Sequence, residues 1–156
     1  MKLLKDEAAV SISIGFILTF VISVLALITV LTAFYTLMDR AEQTAMRSEF
    51  EIHGNDISMQ ISSIDSLVAV MDNSGAYIGV LEYDLDLPDR IAGEHYSVSI
   101  VNSSHEILLQ SRDKTETKVM VPYSTNNMRV IESTIFSEAG THYIVYDPVY
   151  RTLEIR

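Results

Sequence analysis

An uncharged apolar run near the amino end constrains most strongly what this chain can fold into. No Asp, Glu, Lys or Arg occurs between Glu7 and Asp39, and the run from Val10 to Leu37 consists mainly of Ile, Leu, Val, Phe and Ala. A helix needs about 20 apolar residues to cross the hydrocarbon core of a bilayer, so the run predicts a membrane-spanning helix. It is longer than the ~7–15 apolar residues of a cleavable secretory signal, and no small-x-small site follows it.

Charged residues are distributed unevenly along the chain. Residues 1–40 contain equal numbers of acidic and basic residues, whereas residues 41–156 contain 8 basic and 18 acidic residues and carry the whole net charge of −10. Such a surface repels nucleic acid, so nucleic-acid binding is not expected. Lys2 and Lys5 precede the span, which favours a cytoplasmic amino end and an extracytoplasmic C-terminal domain. The chain has no cysteine, which excludes disulfides and thiolate metal sites.

Beyond the span, helical periodicity continues. Apolar side chains recur at steps of three, four and seven residues, which is one face of an amphipathic helix, at Met46, Phe50, Ile57, Ile61, Ile64, Val68 and Met71. The other face carries polar residues that include Glu42, Arg47, Glu49, Glu51, Asp56 and Asp65. Gly54 lies inside this pattern and leaves two possibilities open, a break near residues 53–56 or a tolerated glycine. Residues 72–75 then end the helix.

After residue 75 the period changes from helical to alternating. Leu81, Tyr83, Leu85 and Leu87 alternate with acidic residues, which predicts a half-buried strand. Further strands are predicted at about residues 96–100, 106–110, 117–121, 128–133, 141–146 and 150–155, the last two joined by a turn at Asp147-Pro148-Val149. The predicted fold class is therefore α+β, with a long N-terminal transmembrane helix and an antiparallel β-sandwich-like or open-barrel head. The predicted segments are 1–9 (leader-like), 10–38 (transmembrane or filament-core helix), 39–73 (amphipathic extension) and 74–156 (extracytoplasmic β domain).

The amino end resembles that of archaeal type IV pilin-like and archaellin-like membrane proteins. The resemblance covers about the first 35 residues and lies in Lys5-Asp6-Glu7-Ala8-Ala9-Val10-Ser11-Ile12-Ser13-Ile14-Gly15, followed by an unbroken apolar helix. It implies cleavage by a prepilin-type peptidase between Ala9 and Val10, with the bond before Ala9 as the alternative. The chain differs from the family pattern at Ile12 and Ser13, where proline and valine are usual.

Small residues four positions apart suggest where the span packs. Ser11, Gly15, Thr19 and Ser23 form a small-xxx-small stripe, which lets helix backbones approach closely. The alternative is that the hydroxyls of a single membrane helix bond back to the preceding turn. The expected partners are membrane lipid, other pilin-like subunits or further copies, a prepilin-type peptidase and cell-envelope components.

Other motifs give little indication of chemistry. Asn102 begins an Asn-Ser-Ser sequon and is a possible glycosylation site. The four histidines, His53, His95, His105 and His142, lack ligand spacing and are predicted to be surface or turn residues, so no metal site, cofactor or catalytic residue is expected. Glu82, Asp84 and Asp86 are assigned to the solvated strand face.

Two roles agree with these observations. The first is a minor pilin-like structural subunit, anchored in the membrane or packed in a filament core, with its head outside the cell. The second is a permanently anchored, stator-like module that binds the cell envelope. A sensor is disfavoured, because the seven residues before the span are too few for a signalling domain.

Overall fold

The N-terminal helix carries the apolar run. The computed structural model describes residues 3–77 and 79–156, with side chains from residue 14 onward. Helix α1 extends over Leu3–Ser74, and contacts divide the chain into two compact units, Met1–Ala41 and Glu42–Arg156. Within Ile14–Ser74, an 18-residue window of mean hydropathy 2.8 has none of its residues buried. This helix is long and apolar enough to cross a membrane.

In the second unit, called the head below, α1 contributes one face to the hydrophobic core. Met46, Phe50, Ile57, Ile61, Ile64 and Val68 are all at most 2% exposed, as their spacing predicts. The ring of Phe50 lies 5.4 Å from that of Tyr96, whose hydroxyl donates a hydrogen bond to the Pro88 carbonyl at 2.8 Å. Because that hydroxyl is desolvated by burial, the pKa of Tyr96 is raised. The helix therefore packs one face into the head core.

Gly54 does not break α1, which is helical on both sides of it. A Cβ atom at this position would lie 2.6 Å from Val121 Cγ2 and 3.0 Å from Leu109 Cδ1. Of the two possibilities left open by the sequence, the glycine is thus retained within the helix. Its physical role is to let the helix backbone approach the sheet more closely than any side chain would permit.

In the part of the chain that the structure describes, eight strands follow the helix and form two four-stranded sheets. They are β1 (Leu81–Leu85), β2 (Tyr96–Val101), β3 (Glu106–Ser111), β4 (Lys118–Pro122), β5 (Arg129–Val130), β6 (Ser133–Phe136), β7 (His142–Asp147) and β8 (Thr152–Ile155), with a 3₁₀ turn at Ser137–Ala139. The strand orders are β1-β7-β8-β5 and β4-β3-β2-β6. The β5–β8 pair is parallel and the other described pairs are antiparallel, which confirms the predicted α+β class with a two-sheet head.

The predicted strand over residues 128–133 is wrong in one respect. The segment is divided into β5, which pairs with β8 in one sheet, and β6, which pairs with β2 in the other. Ile131 and Glu132 connect them, so the chain changes sheets here instead of continuing one strand. The predicted final hairpin is confirmed, and Asp147 Oδ1 accepts hydrogen bonds from the amides of Val149 (2.7 Å) and Tyr150 (3.3 Å).

Asp65 was assigned to the solvated helix face, and this prediction is wrong. The residue is 7% exposed. Its carboxylate accepts hydrogen bonds from the backbone amides of Asn126 (3.1 Å) and Asn127 (2.8 Å) and from Asn127 Nδ2 (3.0 Å). The three donors explain how a charge tolerates burial, and they attach the β4–β5 loop to the helix.

Candidate assembly surfaces of the helix and the head

The apolar side chains of the first unit have no cover within the described chain. Between Ile14 and Met38 the large aliphatic and aromatic residues are 37–74% exposed. Phe34 and Tyr35, near the end of this segment, have ring centroids 6.4 Å apart in an edge-on arrangement. Contiguous exposed apolar surface of this extent requires a bilayer or a protein partner.

The predicted packing stripe is described from Gly15 onward. A Cβ atom at Gly15 would meet nothing within 4 Å, so this position is open to a neighbour. Thr19 Oγ1 donates to the Gly15 carbonyl at 2.9 Å, and Ser23 Oγ donates to the Thr19 carbonyl at 2.8 Å. These back-bonds satisfy the hydroxyls within the helix, so the stripe is compatible both with lipid and with a packed helix. Ser11 and the predicted processing positions Ala9 and Val10 lie outside the residues whose side chains are described.

In the head, α1 presents a second apolar stripe on the side opposite the core. Ile52, Met59 and Val70 are 51%, 60% and 64% exposed. Their spacings are close to two and three helical turns, so they lie on one narrow line. The residues between them on this line are small, namely Ser63 and Ser66, and are exposed. Sequence reasoning missed this assembly stripe, because the face opposite the core was counted as polar from its charged neighbours.

Near the beginning of the head, acidic and basic side chains gather where three segments meet. Lys114 Nζ lies 3.0 Å from Glu42 Oε2. The pKa of Glu94 is raised above its usual value of 4.5, first by a side-chain hydrogen bond with Asp113 and further by the negative charges of Asp113 and Glu42. The cluster joins α1, the β1–β2 connection and the β3–β4 turn.

The remaining predicted sites are dispersed. Asn102 lies half-buried in the turn between β2 and β3, where its sequon stays a prediction. Residues 14–77 and 79–156 contain no group of three or more side chains suited to hold a metal ion. His142 is an exception to the prediction that the histidines are surface or turn residues. It is a strand residue only 4% exposed, and its Nε2 has no hydrogen-bond partner among the described atoms.

Together these features define a class of protein: a single helix with an apolar segment long enough to cross a membrane, followed by an acidic two-sheet head with that helix in its core. The chain belongs to the family of unknown function DUF7266, whose profile matches residues 5–155. Comparison with curated proteins and with solved structures gave no match.

Proposed function

We propose that the protein is a minor pilin-like subunit of the cell surface. Its N-terminal helix resides in the membrane, and in an assembled filament the same helix packs against the helices of neighbouring subunits. The amino end is cytoplasmic and the head lies outside the cell. The role is structural, and assembly by helix packing requires no catalytic residue.

The assembly stripe of Ile52, Met59 and Val70 is the observation that carries the proposal. Large apolar side chains aligned on the helix face opposite the core form an exposed apolar surface, which is typical of protein–protein contact sites. Burying an aliphatic side chain fully contributes about 1.5–3 kcal/mol, so these half-exposed residues would each contribute roughly 1 kcal/mol on burial by a neighbour. Exposed small residues between them leave room for a neighbouring helix backbone.

The membrane segment supports the same role through close packing of helices in lipid. Lipid is as apolar as the helix, so association in the bilayer depends on close packing rather than on hydrophobicity. Gly15 offers open space, and the hydroxyls of Thr19 and Ser23 are already satisfied inside the helix. Neighbouring helices can therefore exchange lipid contacts for helix contacts without burying an unpaired hydroxyl.

Substitutions in the packing stripe of the membrane segment and in the assembly stripe of the head test the proposal in cells that possess a prepilin-type peptidase. We expect Thr19→Leu and Met59→Glu each to reduce the amount of protein in the sheared extracellular fraction, while the protein remains in the membrane fraction. Val21→Leu is the matched control for Thr19→Leu, because it also adds bulk but lies on the far side of the helix at about 100° per residue. Glu51→Gln, at an exposed head position away from the assembly stripe, controls for Met59→Glu.

Two results would overturn the proposal. One is wild-type protein that stays entirely in the membrane fraction under conditions that assemble filaments. The other is loss of sheared protein in the control variants to the same extent as in the stripe variants. Mass spectrometry of the same samples tests processing: cleavage at the predicted bond leaves Val10 as the first residue, and an intact Met1 contradicts maturation.

A second candidate function, a permanently anchored envelope-binding module, is favoured by a different surface. Tyr77, Val149 and Tyr150 are 89%, 78% and 76% exposed. Arg151 Nη2 lies 2.5 Å from Asp72, so the β7–β8 turn and the end of α1 are at the same end of the head. If this function is correct, Tyr150→Ser should weaken retention of the head by purified envelope, whereas Met59→Glu should leave retention unchanged.

A further inference from the structure

A cavity of about 340 Å³ lies within the head, between α1 and β1. Its apolar lining comes from Ile64 on the helix, from Leu85 at the end of β1 and from Leu87 just after that strand. Met59 and Tyr83 also line it and are 60% and 41% exposed. The alternation of β1 predicts that Tyr83 is half-buried, and its exposure arises because this space beside it is not filled by the head itself.

The polar groups of the cavity show which chemistry would suit it. Gln60 Oε1 is buried and has no hydrogen-bond partner among the described atoms, so it is an acceptor without a donor. A ligand with an N–H group would supply the donor that this buried acceptor lacks. Asp56 and Asp86 contribute carboxylates from the two walls. The cavity therefore combines an apolar interior with acceptors and negative charge, which favours a cationic donor.

The backbone of β1 adds a second recognition element. Within the described strands β1 pairs only with β7, so it is the terminal strand of its sheet. In an antiparallel pair, alternate residues direct their N–H and C=O groups away from the partner. An unpaired edge of this kind is a template for one more strand, and extended peptides use such edges in other proteins.

We propose that this edge groove, formed by β1 and the cavity beside it, binds an extended segment of a partner protein that alternates apolar and basic residues. The segment adds to the sheet along β1. One apolar side chain enters the cavity between Ile64 and Leu87, and a Lys or Arg side chain lies near Asp56 and Asp86. The inference does not depend on filament assembly, since it rests only on the head.

Charge argues against a second copy of this chain pairing through the same edge. Antiparallel pairing of β1 with β1 would place Glu82 and Asp84 of both copies on one face, where like charges opposite each other destabilise a sheet. The same acidic residues attract a basic strand. A partner with positive charge at alternate positions is therefore the occupant that the edge groove selects.

The test uses the full chain, labelled with ¹³C at its methionine methyl groups, in nanodiscs of zwitterionic lipid. The probes are Ac-Val-Lys-Val-Lys-Val-NH2, its Glu counterpart and the Lys peptide with alternate backbone nitrogens methylated. We expect the Lys peptide to shift the Met59 methyl resonance saturably. The Glu peptide should bind about tenfold more weakly or worse, because its charge is reversed. The methylated peptide should also bind more weakly, because it cannot complete the strand pairing.

Matched variants locate the binding. Asp86→Asn, in the cavity lining, should weaken binding of the Lys peptide several-fold. Glu116→Gln removes one negative charge from an exposed position of the β3–β4 turn, outside the edge groove, and should have little effect. Ser63→Trp fills the cavity from an exposed helix position and should abolish binding, whereas Ser62→Trp, at the adjacent exposed position, should not. Unchanged head resonances elsewhere establish that each variant is folded.

Three results would overturn the inference. The first is equal binding of the Lys and Glu peptides, and the second is the absence of a shift up to about 1 mM peptide. The third is a shift of the Met59 resonance with protein concentration alone that the Lys peptide reverses, since a second copy of the chain would then compete for the edge groove instead of contacting the assembly stripe.

Discussion

Gly54 provides the sharpest test of how the helix is held against the sheet. In an exposed helix, Gly→Ala stabilises by about 1 kcal/mol, because alanine loses less backbone entropy. Here the added Cβ would lie 2.6 Å from Val121 Cγ2, closer than real Cβ contacts allow, so either the side chain or the helix must move. Overpacking of this kind costs about 1–3 kcal/mol. The expected net effect of Gly54→Ala is thus a destabilisation of roughly 0–2 kcal/mol.

A double-mutant cycle separates the cost of overpacking from the gain in helix propensity. Val121→Ala removes the methyl group that the new Cβ meets, at its own cost of about 2 kcal/mol for a buried valine. In the double variant, alanine at position 54 no longer meets this methyl group, and the two substitutions should couple favourably by about 1 kcal/mol or more. Ser62→Gly, at an exposed position of the same helix, measures the local cost of a glycine.

The assay is urea unfolding of the full chain in detergent micelles, followed by tyrosine fluorescence. This probe suits the chain because it contains 8 tyrosines and no tryptophan, and all tyrosines except Tyr35 lie in the head. A Gly54→Ala variant about 1 kcal/mol more stable than the wild type would refute the reasoning, as would simple additivity with Val121→Ala. Either result would mean that the close approach does not constrain the head.

Three further predictions concern polar groups of the head. Asp65→Ala should lower the unfolding free energy by about 2–4 kcal/mol in the same assay, because buried amide donors lose their acceptor. Asp72→Ala removes only a half-exposed ion pair with Arg151 and should cost at most about 1 kcal/mol, so equal losses would contradict the role given to burial. Glu94→Gln should stabilise the head at pH 7 and have little effect near pH 4. The raised pKa of this carboxyl stabilises the fold fully below pH 4.5, and this contribution is lost as the pH rises through the folded-state pKa. The prediction is contradicted if thermal melting between pH 4 and pH 7 shows the same difference between Glu94→Gln and the wild type at every pH.

Periodicity predicted those parts of the structure that depend on one dominant environment. The uncharged run before Asp39 predicts a membrane-spanning helix by its length alone. The buried positions from Met46 to Val68 follow from one apolar face of the helix, and the turn at Asp147 follows from local backbone chemistry. The division of residues 128–133 between two sheets was not predictable in this way. Both halves of that segment have the same strand-like composition, and only their tertiary partners distinguish them.

The surface features were harder to predict, because each depends on something outside its own segment. Asp65 lies at the margin of the apolar face, where an acidic side chain reads as solvated until its amide donors from the β4–β5 loop are known. The role of Gly54 depends on Val121, which is far away in the sequence. The assembly stripe was not predicted because the apolar face that enters the core dominates the helical periodicity. The residues of the assembly stripe have charged neighbours, so its face reads as polar.

The two flanks of α1 in the head differ in how tightly they pack against the rest of the head. On one flank, Gly54 contacts β4, Ser58 Oγ donates to the Pro122 carbonyl at 2.8 Å, and Asp65 holds the β4–β5 loop. On the other flank, Gln60 and its neighbours line a cavity and leave a buried acceptor unpaired. Substitutions on the first flank should therefore destabilise the head, whereas exposed positions on the second can change without loss of the fold. A cavity beside an edge strand persists at little risk to stability because the opposite flank already fixes the helix.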